Sequence, residues 1–397
     1  MKIAMLTSTG ERCGVASYTR ALVAGLETLP GTTVAVVPIT EGKQPKSHYV
    51  EQAELLNAPD IDVVHIQHEH GFWGGILPGK SAYWDLRYLI QKPLVLTAHT
   101  TYSLAQLLKV QTEKRPLHRL MKNLLIKQIR YRDSVETAPF ITAMTLVHTA
   151  AARREIIGRG ADLSYIQVMP TGIPAALPAP FGGAEFRAKH NLVGRRIITL
   201  FGYITPNKGY ELTLDALSSL PEDVVFVIAG GTRVEGEKAY ADSLRARVEQ
   251  TGLAKRVVIT GFLSEEEVPE AMAASDLVVV PHLWATGSYS VALPLTHGRP
   301  ILASDVDCFQ EIQARADCLE LFPAGDLGAY RAKLLFLLSN EPRRTKLSEG
   351  AKLYAEKYSW NRVAAMTLKV YTQTIGIYSK GHKPVFTGTP HKYFKLN

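Results

Sequence analysis

The chain has 397 residues, 46% of them hydrophobic and 21% charged, with a formal net charge of +8. At roughly 150 residues per domain this implies two domains with sizeable cores, and the apolar content excludes a disordered polymer. Cys13, Cys308 and Cys318 form neither a C-x-x-C pair nor an even-numbered framework, which argues against a disulfide scaffold or structural zinc and for a reducing, cytoplasmic setting. The short apolar run after Lys2 reads as a first strand and not as a signal peptide, and no stretch approaches the roughly 18 apolar residues of a bilayer span. The positive charge suits phosphorylated ligands or an anionic membrane surface; with no RRM, zinc-finger or helix-turn-helix pattern beside it, nucleic acid is set aside.

In chain order, "KIAML" reads as a strand, followed by a polar turn from Thr7 to Arg12 and by Gly14 just ahead of the amphipathic "CGVASYTRALVAGLETL". A glycine turn before a helix serves connectivity, or lets the backbone and free N–H groups approach an anion. "TTVAVVPI", "DVVHIQ", "PLVLTA" and "PFITAMTLVH" continue a β/α alternation that predicts a parallel, doubly wound sheet. The crowding of Pro170, Gly172, Pro174, Pro178, Pro180, Gly182 and Gly183 marks a linker, so residues 1–178 are expected to form the first domain. The rhythm restarts with "RRIITLFG", a helix from about Glu211, "VVFVIAGG", a helix around Tyr240 to Gly252, "RVVITGF", a helix around Glu265 to Ala274, and "LVVVPH". This predicts a second doubly wound domain over 179–358, then a helix over 359–379 and a basic tail over 380–397 with four lysines and no acid.

Ligands in such sheets bind beyond the carboxyl ends of the strands, so the candidates are the residues there. In "ITLFGYITPNKGYEL" a turn at Gly202 precedes Lys208 and Gly209 at a helix start, which either cradles a phosphate or is a solvated turn. "VVFVIAGG" ends in Gly230 and Gly231, and the hydroxyl-rich loop Thr286, Gly287, Ser288, Tyr289, Ser290 opens a helix in a way that suits a diphosphate or simple capping. No G-x-G-x-x-G or P-loop is present, which weakens a nicotinamide or ATP reading. His99 ends the strand "PLVLTA" as a substrate donor, a general acid/base or a structural histidine. "HIQHEHGFWGG" gathers Gln67, His68, Glu69, His70 and Trp73, but no further ligand completes a metal site. The stretch from Leu107 to Arg132 is basic, with Lys109, Lys114, Arg115, Arg119, Lys122, Lys127, Arg130 and Arg132 against Glu113; after Pro116 the residues Leu117, Leu120, Met121, Leu124 and Leu125 fall at helical spacing with Arg119, Lys122 and Lys127 towards the flanks. That pattern fits a buried leucine face or a helix resting on an anionic leaflet.

The order of these segments, with "RCGVASYT", "HIQHEHGFWGG", His99, "PTGIP", "GYITPNKG", "VIAGG", "VITGFLSEEEVPEAMAASDLVVVPH" and "GRPILASD", resembles the GT-B glycosyltransferases of the retaining family 4 type. It is most similar to the subgroup whose first helix begins CGIATYT. The resemblance implies an α/β fold of two Rossmann-like domains around a central cleft, the last helix crossing back to the first domain. It implies a nucleotide-sugar co-substrate, no metal and no other cofactor. It carries His99 to the reacting sugar as the catalytic residue, and Gly14, Gly202, Lys208, Gly230, Gly261, Phe262, Leu263, Ser288, Tyr289 and Ser290 to the donor, with the 261–263 turn at its base. Glu69, His70 and Tyr102 fall on the acceptor side. The family's two glutamates eight positions apart are Ala285 and Leu293 here, and the arginine that often follows the second-domain glycine is Tyr203. The function so implied is transfer of a sugar from a nucleotide diphosphate to a glycan or lipid-linked acceptor, with retention, at the inner face of the membrane or free in the cytoplasm. The missing glutamates favour one alternative, a catalytically inactive GT-B protein acting as a partner or regulator. A sugar-nucleotide epimerase is a weaker one, since Glu69 is the only strand-end carboxylate to serve it.

Overall fold

The structure is a computed structural model that describes residues 1–10, 13–75, 81–101, 140, 143–232, 235–285 and 289–381. Tyr102, the 107–132 segment, Ser288 and the tail beyond 381 lie outside the described residues, as do the side chains of Tyr289 and Ser290. The chain divides into two compact units, Met1–Gly172 with Trp360–Asn397, and Ile173–Ser359.

In the first unit β1 (Lys2–Thr7), β2 (Thr33–Pro38), β3 (Val63–His68), β4 (Leu94–Ala98), β5 (Met144–Val147) and β6 (Ile166–Val168) form one parallel sheet in the order β2-β1-β3-β4-β5-β6. The register pairs Met5 with His65 and His68 with Ala98. β3 and β4 are buried along their whole length, as strands covered on both faces must be, and this accounts for the apolar runs in the sequence. β3 departs from the rule, because His65, Gln67 and His68 are polar and buried among apolar neighbours. Buried polar groups demand partners, and two of the three lead into the site below.

The helix Trp360–Ser379 belongs to this unit by its packing. Its Trp360, Val363, Ala364, Val370 and Tyr371 share one cluster with Ile3 and Met5 of β1 and with Tyr18, Leu22 and Leu26 of the helix Gly14–Glu27.

In the second unit β7 (Arg196–Phe201), β8 (Val224–Ala229), β9 (Val257–Gly261), β10 (Leu277–Val280), β11 (Ile301–Ser304) and β12 (Glu320–Phe322) form a parallel sheet in the order β12-β11-β10-β7-β8-β9. The order reverses at β7/β10, the point at which doubly wound sheets bind ligands. β6 and β12 carry no sequence signal because three residues are too few to display a period. The strand expected across "PFITAMTLVH" is confined to Met144–Val147, and Phe140 is helical.

Candidate functional site

In the first unit β3 and β4 end side by side, and each runs into a polar turn. Glu69 caps the short helical turn His70–Trp73: one carboxylate oxygen accepts from the His70 N–H at 3.1 Å and the other from the Thr100 hydroxyl. Burial raises the Glu69 pKa, and the two hydrogen bonds oppose that rise. His70 is buried behind it, pushed down to about 4 by burial and by the charge of Arg159. His68 is fully buried against His70, Trp73, Tyr83 and Phe140, and its ring nitrogens have no hydrogen-bond partner among the described residues. Among the described residues no group of three or more His, Cys, Asp or Glu is arranged to hold a metal.

His99 follows β4 directly, and its backbone N–H donates to the His68 carbonyl at 3.1 Å. Its Nε2 lies 2.8 Å from Gln67 Oε1, and its Nδ1 lies 3.4 Å from Nε2 of His148, the residue that follows β5. His148 Nδ1 in turn lies 3.0 Å from the Met169 carbonyl. Tyr18 stands edge-on to the His99 ring, with centroids 4.7 Å apart. Burial holds His99 well below the ordinary histidine value, and the neighbouring His148 and His65 push the same way, so both rings next to Tyr18 are neutral at pH 7. Gly14 begins the first helix, and a Cβ added there meets nothing within 4 Å. Among the described residues nothing demands glycine at this helix start.

The second unit gathers Gly202, Tyr203, Lys208, Gly230, Gly261, Phe262 and His282 at or just beyond the carboxyl ends of β7 to β10. Two of the glycines serve the chain itself: a Cβ on Gly230 would stand 2.0 Å from the Gly202 carbonyl oxygen, and Gly230 bridges to Gly261. Gly209 has a φ of +73°, and a Cβ there would stand 2.1 Å from the Pro281 carbonyl oxygen, so the turn after Lys208 is held tightly against the end of β10. The Leu283 N–H donates to the Asn207 carbonyl at 2.8 Å, and the Asn207 side-chain amide donates to the Trp284 carbonyl at 3.3 Å. This stitching fixes the turn that carries Lys208.

Lys208 is half-buried, and its ammonium has no ion pair or hydrogen bond among the described residues. Burial lowers its pKa to about 8, and Glu237 opposes the shift only in part. His282, which follows Pro281 after β10, is buried, has no partner for either ring nitrogen among the described residues, and is pushed down to about 3 by burial and by the Lys208 charge. Phe262 is 55% exposed, and its ring lies 6.0 Å from that of Tyr203. Leu263 packs into the cluster of Phe186, Leu192 and Ile197. Tyr289 and Ser290 open the helix Tyr289–Thr296. Ala285 and Leu293 pack against the cluster of Val278, Val280, Val291 and Leu295, so both positions face apolar neighbours.

Two doubly wound parallel sheets of this order, each with flanking helices, are the Rossmann-like domains of the GT-B fold. The Anabaena protein HepE, in a crystal structure with UDP, superposes with a TM-score of 0.69 at 15% identity over 94% of this chain and 100% of that one. Residues 184–354, within the second unit, match the family model described as glycosyl transferases group 1. The phosphatidyl-myo-inositol mannosyltransferase of Mycobacterium leprae is 26% identical over 318 residues, 79% of this chain and 73% of that protein. The D-inositol 3-phosphate glycosyltransferase of Mycolicibacterium smegmatis is 26% identical over 344 residues, 84% of this chain and 72% of that protein.

Sequence reasoning passed over His148, Tyr18 and His282 as site residues. His148 had a readable signal, since "LVH" at the end of β5 repeats the apolar-strand-then-histidine pattern of "LTAH" at His99. Tyr18 and His282 had none, because an aromatic on a helix and a polar residue after a strand are both commonplace.

Proposed function

We propose that the protein is a glycosyltransferase that moves a sugar from a nucleoside diphosphate to a glycan or lipid-linked acceptor, with retention and without a metal. The observation that carries this reading is Lys208: a half-buried ammonium held in a stitched turn at the switch point of the second sheet, with no ion pair or hydrogen bond among the described residues and only the charge of Glu237 to offset its burial in part. A charge left in this state is costly unless a ligand supplies its partner, and a diphosphate does so. The family match over the surrounding domain, and the glycosyltransferase names of the relatives, support the same assignment. In it Lys208 and the helix start after Gly209 meet the leaving diphosphate, and the exposed Phe262 beside Leu263 meets the base. His99 meets the reacting sugar, Gly14 leaves room for a phosphate at its helix start, and Glu69 with His70 and Tyr102 lies on the acceptor side. Ser288 and Ser290 offer hydroxyls to the donor in place of the carboxylates missing at Ala285 and Leu293.

A thermal-shift panel of sugar nucleotides tests the reading. A ligand present at about 100 times its dissociation constant adds roughly 2.7 kcal/mol to the folded state, so one donor class must raise the melting temperature. No shift with any sugar nucleotide would leave the inactive alternative.

Among the described residues no helix is long and apolar enough to cross a membrane. Peripheral docking through the basic 107–132 segment is the form of membrane contact we propose, bringing a lipid-linked acceptor to the first unit. Co-sedimentation with anionic vesicles should fall steeply with salt, and should weaken when Lys114, Arg115, Arg119 and Lys122 are changed to Gln. Equal recovery with neutral vesicles would exclude it.

A further inference from the structure

The first unit contains a continuous polar chain running from the helix Trp360–Ser379 through the interior of the sheet to the end of β5. Tyr371 Oη lies 2.6 Å from His65 Nδ1, and His65 Nε2 lies 2.8 Å from the Thr97 hydroxyl and 3.3 Å from the Gln67 amide. Gln67 then meets His99 at 2.8 Å, His99 meets His148 at 3.4 Å, and His148 ends on the Met169 carbonyl at 3.0 Å. Tyr371, His65, Gln67 and Thr97 are fully buried, so water does not compete for these groups.

The donors and acceptors can be assigned from one fixed end. A carbonyl oxygen only accepts, so His148 Nδ1 must carry the proton it shares with Met169. A neutral His148 then presents a bare Nε2, and His99 Nδ1 must be the N–H that donates to it. A neutral His99 therefore has a bare Nε2, and Gln67 must turn its amide N–H towards it. The amide as placed turns Oε1 to His99 and its N–H to Met5 Sδ, 3.1 Å away; because its two ends are nearly isosteric, exchanging them moves no other atom and gives up only that weak N–H···S contact. It also places the Gln67 oxygen 3.3 Å from His65 Nε2, where it accepts from His65 N–H, while His65 Nδ1 accepts from the Tyr371 phenol. The opposite amide orientation makes His99 Nε2–H the donor to Gln67. It then sets the bare nitrogens of His99 and His148 against each other, or requires a buried imidazolium.

We infer that His148, fixed by the Met169 carbonyl, is a positioning residue that holds neutral His99 as its Nδ1–H tautomer. Gln67 pins the opposite nitrogen, so the His99 ring is locked as an N–H donor. The 3.4 Å contact to His148 is the longest in the chain, and an incoming hydroxyl oxygen at ordinary hydrogen-bond distance takes that N–H from it. The half-buried His99 ring sits at the carboxyl end of β4, where such a ligand arrives. The ligand class is a polyhydroxylated group such as a sugar, and this part of the inference rests on the glycosyl-transfer reading above. The tautomer assignment does not.

Long-range 1H–15N correlation spectra of protein labelled with 15N-histidine decide it, with His99→Gln and His148→Gln spectra used for assignment. At pH 7 both rings should be neutral with the proton on Nδ1. A His99 proton on Nε2, or an imidazolium pattern for either ring, overturns the inference. In Gln67→Glu, which offers only acceptors, His99 should gain a proton on Nε2; an unchanged His99 pattern there also overturns it. In turnover, His148→Phe removes the acceptor and should lower kcat about tenfold with little change in donor KM, while His148→Gln, whose side-chain oxygen still accepts, should restore most of the loss. Equal kcat for His148→Phe and the unmodified protein would show that positioning plays no part. If the unmodified protein transfers no sugar although the spectra show both Nδ1–H tautomers, the glycosyl-transfer reading falls and the tautomer assignment stands.

Discussion

At the carboxyl end of the first sheet every ring nitrogen of His65, His99 and His148 has a partner inside the chain, and both oxygens of Glu69 are occupied as well. At the carboxyl end of the second sheet the Lys208 ammonium has no partner among the described residues, nor do the His282 ring nitrogens. The histidine chain of the first region is neutral and internally partnered, although His68 beside it has no partner for either ring nitrogen among the described residues; the second region keeps a partly desolvated charge that Glu237 offsets only in part. Under the proposed function, this difference gives the two regions different tasks. A satisfied network orients a reacting group without reorganising, whereas an unmatched cation supplies binding energy only when the anion arrives.

The largest expected effect tests the first region. His99→Ala removes the ring on which the chain of hydrogen bonds converges, and turnover should fall about 100-fold or more with the fold intact. A variant that melts early but turns over normally per folded molecule would reduce His99 to a structural residue and erase the contrast. Next in size is Lys208→Ala, which should cost roughly 1.5–3 kcal/mol of donor affinity, about ten- to hundredfold in Kd by calorimetry. Unchanged affinity would show that the second region carries no binding charge.

The smallest effect sharpens the comparison without a ligand. The Lys208 pKa is lowered to about 8 in the folded protein, against about 10.4 for an unfolded lysine. Between these values the unfolded chain binds the extra proton, so the native state gains stability as the pH rises from 8 towards 10, and below 8 the full cost of the buried charge is present. Lys208→Met should therefore melt higher than the unmodified protein at pH 7 in the absence of donor, and the gap should narrow between pH 8 and 9.5. A gap that stays constant with pH would mean that the ammonium is not strained at all.

Much of this molecule was readable from residue order. The fully buried strands β4, β8 and β10 announce themselves as apolar runs, the β/α alternation dictates parallel sheets, and the family likeness of "GYITPNKG" to "GRPILASD" points to the second domain. Lys208 was legible for the same reason, because a lysine and glycine between a strand and a helix is a local pattern. β6 and β12 escaped notice because three residues carry no period.

What the order of residues determined by itself is thus the set of local elements and the candidates at their ends: periodicity, turn chemistry and caps act over a few neighbours. What only the tertiary structure decided is which candidates share atoms. Gln67, His99, His148 and Met169 lie at the ends of four strands, β3 to β6, far apart in sequence, and the burial of Tyr371 beside His65 spans 306 positions. The same holds for Gly230, whose close approach is to the Gly202 carbonyl and not to a ligand. Proton placement, pKa and close packing depend on distances of about 3 Å between such remote residues, and those distances come into being only when the sheets close.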